Sequence, residues 1–443
     1  MTRSSTDPTT PASHRAILGI AVPIMLSNVS TPLLGAVDTA VVGQIPGPAH
    51  IGAVAVGSLV FTFVFWAFGF LRMGTTGLTA QALGAQDAEE MVAALGRALL
   101  VALVAGAGML VLQWPIREAA FAVLDASASV EGLGRGYFDI RIWAAPATLA
   151  NYALLGWFIG LGRTDIALVL QLLLNLTNIV LDLWFVLGLG WGVPGVAAGT
   201  VLAEVLAAAV GVALALRHAR AMGARWQTRR LLAPAQLRRT IIVNRDIMVR
   251  SLALIFVFVW FMAQGAAQGD VRLAANAVLM QFISIGAYFL DGLAFAAEAL
   301  VGRAVGAMRR AALATAAIRT SLWAGAVAAL LALALLLFGP MLIDVLSIDP
   351  AVRAAARTYL PWAIGAPLLG VWAFQLDGIF IGATRTAEMR NAMLLSTAVF
   401  LLAWWLLQPW ENHGLWAALY VNYVARTVTL LWHYPALLRS VPA

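Results

Sequence analysis

The stretch Leu33–Pro46, LLGAVDTAVVGQIP, places one aspartate inside a run of small and apolar residues that reaches back to Ile17. At ~1.5 Å per residue, a helix over this run is long enough to cross a ~30 Å hydrocarbon layer. Further apolar stretches of similar length follow, separated by short polar breaks, and none alternates with the period of a barrel strand. The pattern predicts an all-α polytopic membrane protein.

Composition supports this fold class and excludes several functions. Of the 443 residues, 62% are hydrophobic and 11% are charged, which is outside the usual range of soluble proteins. The absence of cysteine excludes disulfides and thiol chemistry. Because no GxxxxGK[ST], HExxH or GxSxG motif occurs within the apolar segments, we expect neither ATP hydrolysis nor another enzyme activity, and no cofactor.

The charge distribution predicts the topology. All 28 basic residues are arginine, and most fall in connections on one side of the predicted membrane. By the positive-inside rule both termini are expected in the cytoplasm, and the net charge of +7 indicates orientation rather than a nucleic-acid partner. The first apolar segment is too long for a signal peptide and lacks a cleavage site, so we expect it to be retained.

About twelve helices are predicted. Their spans are 15–45, 51–82, 90–114, 136–160, 165–188, 193–217, 239–266, 272–302, 311–339, 357–383, 387–408 and 414–436.

An internal repeat organises these helices. Shifting the sequence by 222 positions aligns QALGA at 81 with RAVGA at 303, FIGLGRT at 158 with FIGATRT at 380, and Tyr137 with Tyr359. Two six-helix copies that enter the membrane from the same side are typical of transporters with a parallel pseudo-twofold repeat and a central cleft. The predicted division is a polar tail 1–14, an N-terminal lobe 15–217, a basic cytoplasmic linker 218–238, a C-terminal lobe 239–436 and a tail 437–443.

Two acids lie at similar predicted depths in the first copy. Asp38 lies in the first helix and Asp182 in the fifth, where Asn175, Asn178 and Asp182 share one helix face because they are three and four residues apart. A charged side chain at this depth costs a few kcal/mol. Since two such acids need an offsetting cation, proton or hydrogen-bond donors, we predict that Asp38 and Asp182 bind and release a cation, with Thr200 of the sixth helix nearby.

The alternative is that these acids only hydrogen-bond neighbouring helices. The repeat favours the functional interpretation, because Asp38 maps onto Trp260, and Asp182 onto Trp404 or Leu401 depending on the offset. The second copy is therefore expected to fold without acids at these positions.

The second copy has intramembrane acids of its own. Asp377 and Asp291 are candidates for a second substrate or ion site, whereas Glu298 lies near the cytoplasmic end and can pair with Arg303. In the first helix, Pro23 removes a backbone hydrogen bond and allows a bend or a plain kink.

These motifs resemble one transporter family. With LGAVDTAVVGQ in the first helix, NxxxD in the fifth and GVPGVAAGT in the sixth, nearly the whole chain resembles the multidrug and toxic compound extrusion (MATE) transporters, and most of all the DinF subfamily. The resemblance implies a multidrug efflux antiporter of a bacterial inner membrane that exports cationic or amphipathic compounds in exchange for H⁺ or Na⁺. It further implies a cation site, for Na⁺ or H⁺, at Asp38, Asn178, Asp182 and Thr200, a supporting network of Asn151, Tyr137 and Asn175, a bending role for Pro23, and function as a monomer.

The seventh helix of this chain differs from that of other MATE branches. Those branches carry an acid in the seventh helix, whereas FVFVWFMAQGAAQGD has none before Asp270, which favours the first-copy site as the coupling element.

Two alternative functions remain. A lipid-linked oligosaccharide flippase is the first alternative, but Arg72, Arg250 and Arg426 are too scattered in the sequence to hold a pyrophosphate. A membrane-embedded enzyme or assembly subunit is the second alternative. An Asp/Asn/Thr cluster serves H⁺ or Na⁺, so the residues leave the coupled ion open, as they do the substrate and its stoichiometry.

Overall fold

The computed structural model of the protein describes residues 12–123 and 127–442. The predicted polar tail lies outside the described residues as far as residue 11, and residue 443 of the predicted C-terminal tail also lies outside them. In the first half of the chain the helices are α1 His14–Val42, α2 Pro48–Ala67, α3 Phe70–Gly84, α4 Ala88–Val111, α5 Gln113–Val123, α6 Ala128–Arg141, α7 Ala145–Gly160, α8 Thr164–Asp182 and α9 Val193–Ala221. They are followed by α10 Thr228–Leu231, α11 Pro234–Ala267, α12 Asp270–Gly306, α13 Arg310–Leu346, α14 Pro350–Gly382, α15 Thr386–Leu406 and α16 Glu411–Arg439.

Several predicted spans contain an interruption. The span 51–82 divides at Phe68 and Gly69 into α2 and α3, and 136–160 divides into α6 and α7 around a 3₁₀ turn at Ile142–Ala144. Pro146 follows that turn and has no N–H to continue a regular ladder. In 165–188, α8 widens after Asp182 into a π-helical segment, Leu183–Gly188, a feature that often lies beside functional residues.

The all-α membrane fold predicted from the sequence is confirmed. In the described part of the chain, eleven helical segments are long and apolar enough to cross a membrane. The twelfth predicted span, 414–436, lies within α16, which has 29 residues. Polar residues such as Asn422 and Arg426 lower its hydropathy, but both are buried within the protein.

The helices pack as two compact units. Among the described residues, the N-terminal unit comprises Leu26–Thr79 and Asp87–Ile241, and the C-terminal unit comprises residues 12–25, Ala80–Gln86 and residues 242–442. Helix α1 therefore contributes to both, and Pro23 lies two residues before the change. The basic linker packs with the N-terminal unit, in which Arg230 donates to both carboxylate oxygens of Asp87 at 2.8 Å.

A reciprocal backbone contact within the C-terminal unit supports the predicted duplication. A Cβ on Gly84 would overlap the carbonyl of Arg303, and a Cβ on Gly306 would overlap the carbonyl of Gln81. Gly84 and Gly306 are 222 residues apart, and so are Gln81 and Arg303, which is the offset of the sequence repeat. Glycine is required on both sides because only its missing side chain allows this backbone approach.

Candidate functional site

The structure brings Asp38 and Asp182 together within the N-terminal unit. The two carboxyl groups lie within hydrogen-bonding reach of each other. Asp182 is 0% exposed, and Asp38 is partly buried. Two ionised carboxylates have no donor between them, so this contact requires a shared proton or a bound cation.

Asn178 joins this acid pair to the sixth predicted span. When its amide nitrogen is turned toward Asp38, Nδ2 donates to Asp38 Oδ1 over 3.2 Å and Oδ1 accepts from the Thr200 backbone N–H over 3.2 Å. The Thr200 hydroxyl donates to the Val196 carbonyl at 2.9 Å. Helices α1, α8 and α9 therefore meet at one polar cluster, which we call the acid site: Asp38, Asn178, Asp182 and Thr200.

One oxygen of the acid site has no protein donor. Among the described residues, Asp182 Oδ1 is buried without a hydrogen-bond partner. It lies against the backbone of α9, where a Cβ on Gly199 would overlap it. A buried carboxylate oxygen is costly without a partner, so this atom is suited to a proton or a small cation.

The predicted Asn175 lies beside the acid site in a polar seam between α1 and α8. Its Nδ2 donates to Ser30 Oγ at 2.8 Å, and its Oδ1 accepts from Gln171 Nε2 at 3.0 Å. Ser30 and Asp38 on α1 thus face Asn175 and Asp182 on α8 in the same order, so the two helices run in parallel. Sequence reasoning passed over Ser30 and Gln171, although a spacing of four residues from Asn175 marked Gln171.

Tyr137 and Pro23 occupy different surroundings. Tyr137 is buried on α6, its hydroxyl lies 3.3 Å from Ser58 Oγ, and it lies within electrostatic range of Asp38 and Asp182. Pro23 lies within α1, which runs as one helix through it. It contributes to the C-terminal unit, whereas the acid site lies in the N-terminal unit.

Asn151 belongs to a second buried cluster, which we call the Arg141 cluster: Arg141, Asn151 and Glu204. Asn151 Nδ2 donates to Glu204 Oε2 at 2.7 Å and to the Glu204 carbonyl at 3.0 Å. Arg141 Nη2 lies 3.6 Å from Glu204 Oε1. Sequence reasoning missed Arg141 and Glu204, although each is a charge inside a predicted span and Glu204 follows Thr200 by one helical turn.

In the C-terminal unit, Asp377 lies between two arginines. Its carboxylate pairs with Arg426 of α16 and lies 3.2 Å from Nη1 of Arg250 on α11. All three side chains are at most 7% exposed, and Asp291 lies within electrostatic range of both arginines. The two arginines therefore converge in space although they appeared scattered in the sequence. We call Arg250, Asp377 and Arg426 the arginine cluster.

The acid site and the arginine cluster differ in their capacity to bind a cation. In the acid site a carboxyl group faces another carboxyl group and neutral amide and hydroxyl groups. In the arginine cluster the carboxylate already faces two guanidinium groups, which offset its charge. With Arg141 beside Glu204, the first arrangement can take up a cation without breaking an ion pair, whereas the second cannot.

Comparison with known proteins finds similarity over most of the chain. The MatE family model matches residues 23–184 and again 247–406, and this double match supports the internal repeat. DNA damage-inducible protein F of Escherichia coli (strain K12) is 40% identical over 95% of this chain and 91% of that protein.

More distant similarities extend this result. Probable multidrug resistance protein NorM of Bacillus subtilis (strain 168) is 27% identical over 42% of this chain and 41% of its own. A solved structure described as the outward-facing conformation of a multidrug resistance MATE family transporter of the MOP superfamily superposes with a TM-score of 0.86. It is 19% identical and covers 96% of each chain. At that identity the structure supports the fold alone.

Proposed function

The chain belongs to the MATE family, and on that premise we propose that it is a secondary active antiporter that exports cationic or amphipathic drugs and toxic compounds. The coupling ion is H⁺ or Na⁺, and no other cofactor takes part. The observation that carries this proposal is the contact between Asp38 and Asp182 in an otherwise apolar helix bundle. Because the two carboxyl groups need a proton or a cation between them, the contact supports a function in which that ion binds and leaves.

Binding of the coupling ion follows from the geometry of the acid site. The ion is held by the carboxyl groups of Asp38 and Asp182, and the partnerless Oδ1 of Asp182 supplies a ligand or takes up the proton. The Asn178 amide supplies either an oxygen to Na⁺ or an N–H to an ionised Asp38 as its orientation changes. Loading and unloading the ion thus changes the bonds between α1, α8 and α9.

In the proposed mechanism the ion and the drug compete for binding, and this competition couples ion entry to drug export. If ion binding rearranges α1 and α8 so that the drug binds less tightly, the drug must weaken ion binding by the same factor. The membrane potential adds about 2.3 kcal/mol per charge for each 100 mV. Inward movement of the ion can therefore drive outward movement of the drug.

We place the protein in a bacterial inner membrane with both termini in the cytoplasm, functioning as a monomer. In the described arrangement Asp377 offsets its arginine partners, so we assign ion coupling to the acid site. A second ion or substrate role for Asp377 and Asp291 requires these arginines to separate.

The test is efflux of a fluorescent organic cation from vesicles that contain this chain alone, with a pH gradient and a Na⁺ gradient imposed separately. We expect one gradient to drive transport and the other to have little effect. Efflux that occurs but does not respond to either gradient would contradict antiport. No efflux under either gradient would favour an assembly or enzymatic role.

The flippase alternative predicts a different deletion phenotype. It requires arginines that are available for a pyrophosphate, but Arg250 and Arg426 both face Asp377. Increased drug sensitivity on deletion agrees with antiport. A cell-envelope defect without drug sensitivity would favour the flippase.

A further inference from the structure

Arg141 is a buried cation that is held loosely. It ends α6, is 8% exposed, and its guanidinium lies 5.4 Å from the ring centres of Phe61 and Phe65 on α2. Its closest carboxylate, Glu204, is 3.6 Å away, which is an ion pair without a hydrogen bond. Among the described residues, Arg141 Nη1 is buried and has no hydrogen-bond partner. The guanidinium therefore keeps unused donors in a dry environment.

Glu204, by contrast, is held firmly. One carboxylate oxygen accepts from Asn151 at 2.7 Å, which ties α9 to α7, and the other faces Arg141. Because Glu204 is fixed on one side, the ion pair can open by movement of the long, flexible arginine rather than of the glutamate.

The acid site is the second carboxylate position on which this cation acts. Arg141 acts electrostatically on Asp38, and Thr200 of the acid site lies one helical turn, about 6 Å, from Glu204 along α9. A guanidinium stays protonated under all physiological conditions. One permanent positive charge thus acts on both Glu204 and Asp38.

Other charges in this part of the unit are engaged or belong to the same two sites. On α5, Arg117 and Glu118 pair with Asp139 and Arg135 of α6. In the described part of the chain, the titratable groups that interact with Arg141 are Asp38 on α1, Tyr137 on α6, Tyr152 on α7 and Glu204 on α9. Asp182 on α8 acts on Tyr137, and Arg72 on α3 acts on Tyr152.

We propose that Arg141 is a tethered cation that competes with the coupling ion for the carboxylates of Asp38 and Asp182. While the ion is bound, the ion pair with Glu204 keeps Arg141 away from these carboxylates. The inference rests on the proposed function, because it needs an ion that loads and unloads at the acid site. When the ion leaves, Arg141 swings toward the acid pair and offsets its charge. When the ion returns, Arg141 moves back to Glu204.

The first part of the test uses two single variants in reconstituted vesicles, with the half-saturating concentration of the coupling ion as the readout. Arg141→Gln removes the competitor, so this concentration should fall about tenfold, or about one pH unit for protons. Glu204→Gln releases Arg141 toward the acid pair and should raise it by a similar factor. Shifts in the same direction, or no shift, would overturn the proposal.

The double variant Arg141→Gln/Glu204→Gln decides between a moving cation and fixed charges. Fixed charges acting through space would nearly cancel, so the double variant would behave like the wild type. Without Arg141 there is nothing for Glu204 to hold, so we expect the double variant to bind the ion as tightly as Arg141→Gln. It also leaves no unpaired buried charge and should fold even where a single variant does not.

Two further variants complete the design. Arg141→Lys keeps the charge, and since the ion pair with Glu204 is not bidentate, we expect it to stay near wild type. Asp38→Asn, measured in parallel, separates the two proposals. Retained ion coupling in Asp38→Asn would contradict the proposed function itself, whereas lost coupling there with no shift in the Arg141 and Glu204 variants would contradict only the tethered cation.

Discussion

Two pairs of residues occupy matching positions of the repeat, and their chemistry is opposite. In the N-terminal unit Asp38 meets Asp182. At the same offset of 222 residues in the C-terminal unit, Trp260 meets Trp404, with ring centres 5.1 Å apart and planes at 88°. Both copies therefore bring these positions into contact. The contact belongs to the architecture, and in our proposal the choice of acids at this contact serves ion binding.

The energetics support that distinction. An edge-to-face tryptophan pair adds about 0.5–1.5 kcal/mol beyond the area it buries. Two acids in a membrane helix bundle cost a few kcal/mol each unless a cation or proton offsets them. The C-terminal unit thus uses the position for packing. The N-terminal unit gives up that stabilisation, and in our account it does so to hold an ion.

The largest expected effect comes from neutralising the acid pair. Asp38→Asn or Asp182→Asn should reduce ion-driven efflux to background, because an amide neither exchanges a proton nor attracts a cation as a carboxylate does. The fold should persist, since a buried charge has been removed. Efflux from vesicles and a thermal unfolding midpoint in detergent measure the two properties. Normal ion-driven transport by Asp38→Asn would remove the distinction between the two units.

A second large effect concerns the arginine cluster. Asp377→Asn removes the carboxylate that both Arg250 and Arg426 face, and breaking a buried pair in this way costs about 3–5 kcal/mol of stability. The double variant Asp377→Asn/Arg426→Gln should regain part of the lost unfolding midpoint, because it also removes one of the two cations that lost their carboxylate. A double variant no more stable than Asp377→Asn would show that charge matching is not what stabilises this cluster.

A moderate effect should follow from breaking the tryptophan pair. Trp404→Ala should lower stability by ~2 kcal/mol, because it leaves a cavity and removes the contact with Trp260. The ion dependence of the remaining flux should not change. Trp405→Ala is the matched control, since Trp405 is 62% exposed and its loss should change the midpoint little. A changed ion dependence in Trp404→Ala alone would give this pair a coupling role.

The smallest expected effect comes from displacing the Asp182 carboxyl group. A Cβ at Gly199 would overlap Asp182 Oδ1, so Gly199→Ala should push the carboxyl group aside and weaken ion binding by about tenfold, equivalent to ~1.4 kcal/mol. Gly211→Ala on the same helix is the control, because its Cβ would meet the flexible end of Leu154. Half-saturating ion concentrations measure both. Equal values for the two variants would mean that Asp182 does not need its present position.

Much of this comparison could be predicted from the sequence. Similar depths of Asp38 and Asp182 along two helices predicted that they could meet, and hydropathy located the spans, because a helix of fixed rise must cross a layer of fixed thickness. The repeat left Trp404 and Leu401 as alternatives opposite Asp182. The contact between Trp260 and Trp404 now supports the constant offset.

Other contacts between helices depend on which helix faces meet, and hydropathy does not report which faces these are. Arg250 and Arg426 appeared scattered because they are far apart in sequence, yet both reach Asp377. Asn151 was predicted to support the acid site, but its amide bonds Glu204 instead. Arg141 and Glu204 were overlooked because each is a single charge whose partner lies on another helix.

The central claim is that the acid site takes up the coupling ion while the arginine cluster does not. The most direct measurement is the number of coupling ions that the purified protein binds. For H⁺ this number is obtained from the protons exchanged with a weakly buffered solution, and for Na⁺ from the amount of bound Na⁺. The measurement should be made for the wild type, Asp38→Asn and Asp377→Asn/Arg426→Gln. We predict that Asp38→Asn loses this binding and that the double variant keeps it. Binding that survives in Asp38→Asn and disappears in the double variant would contradict the account.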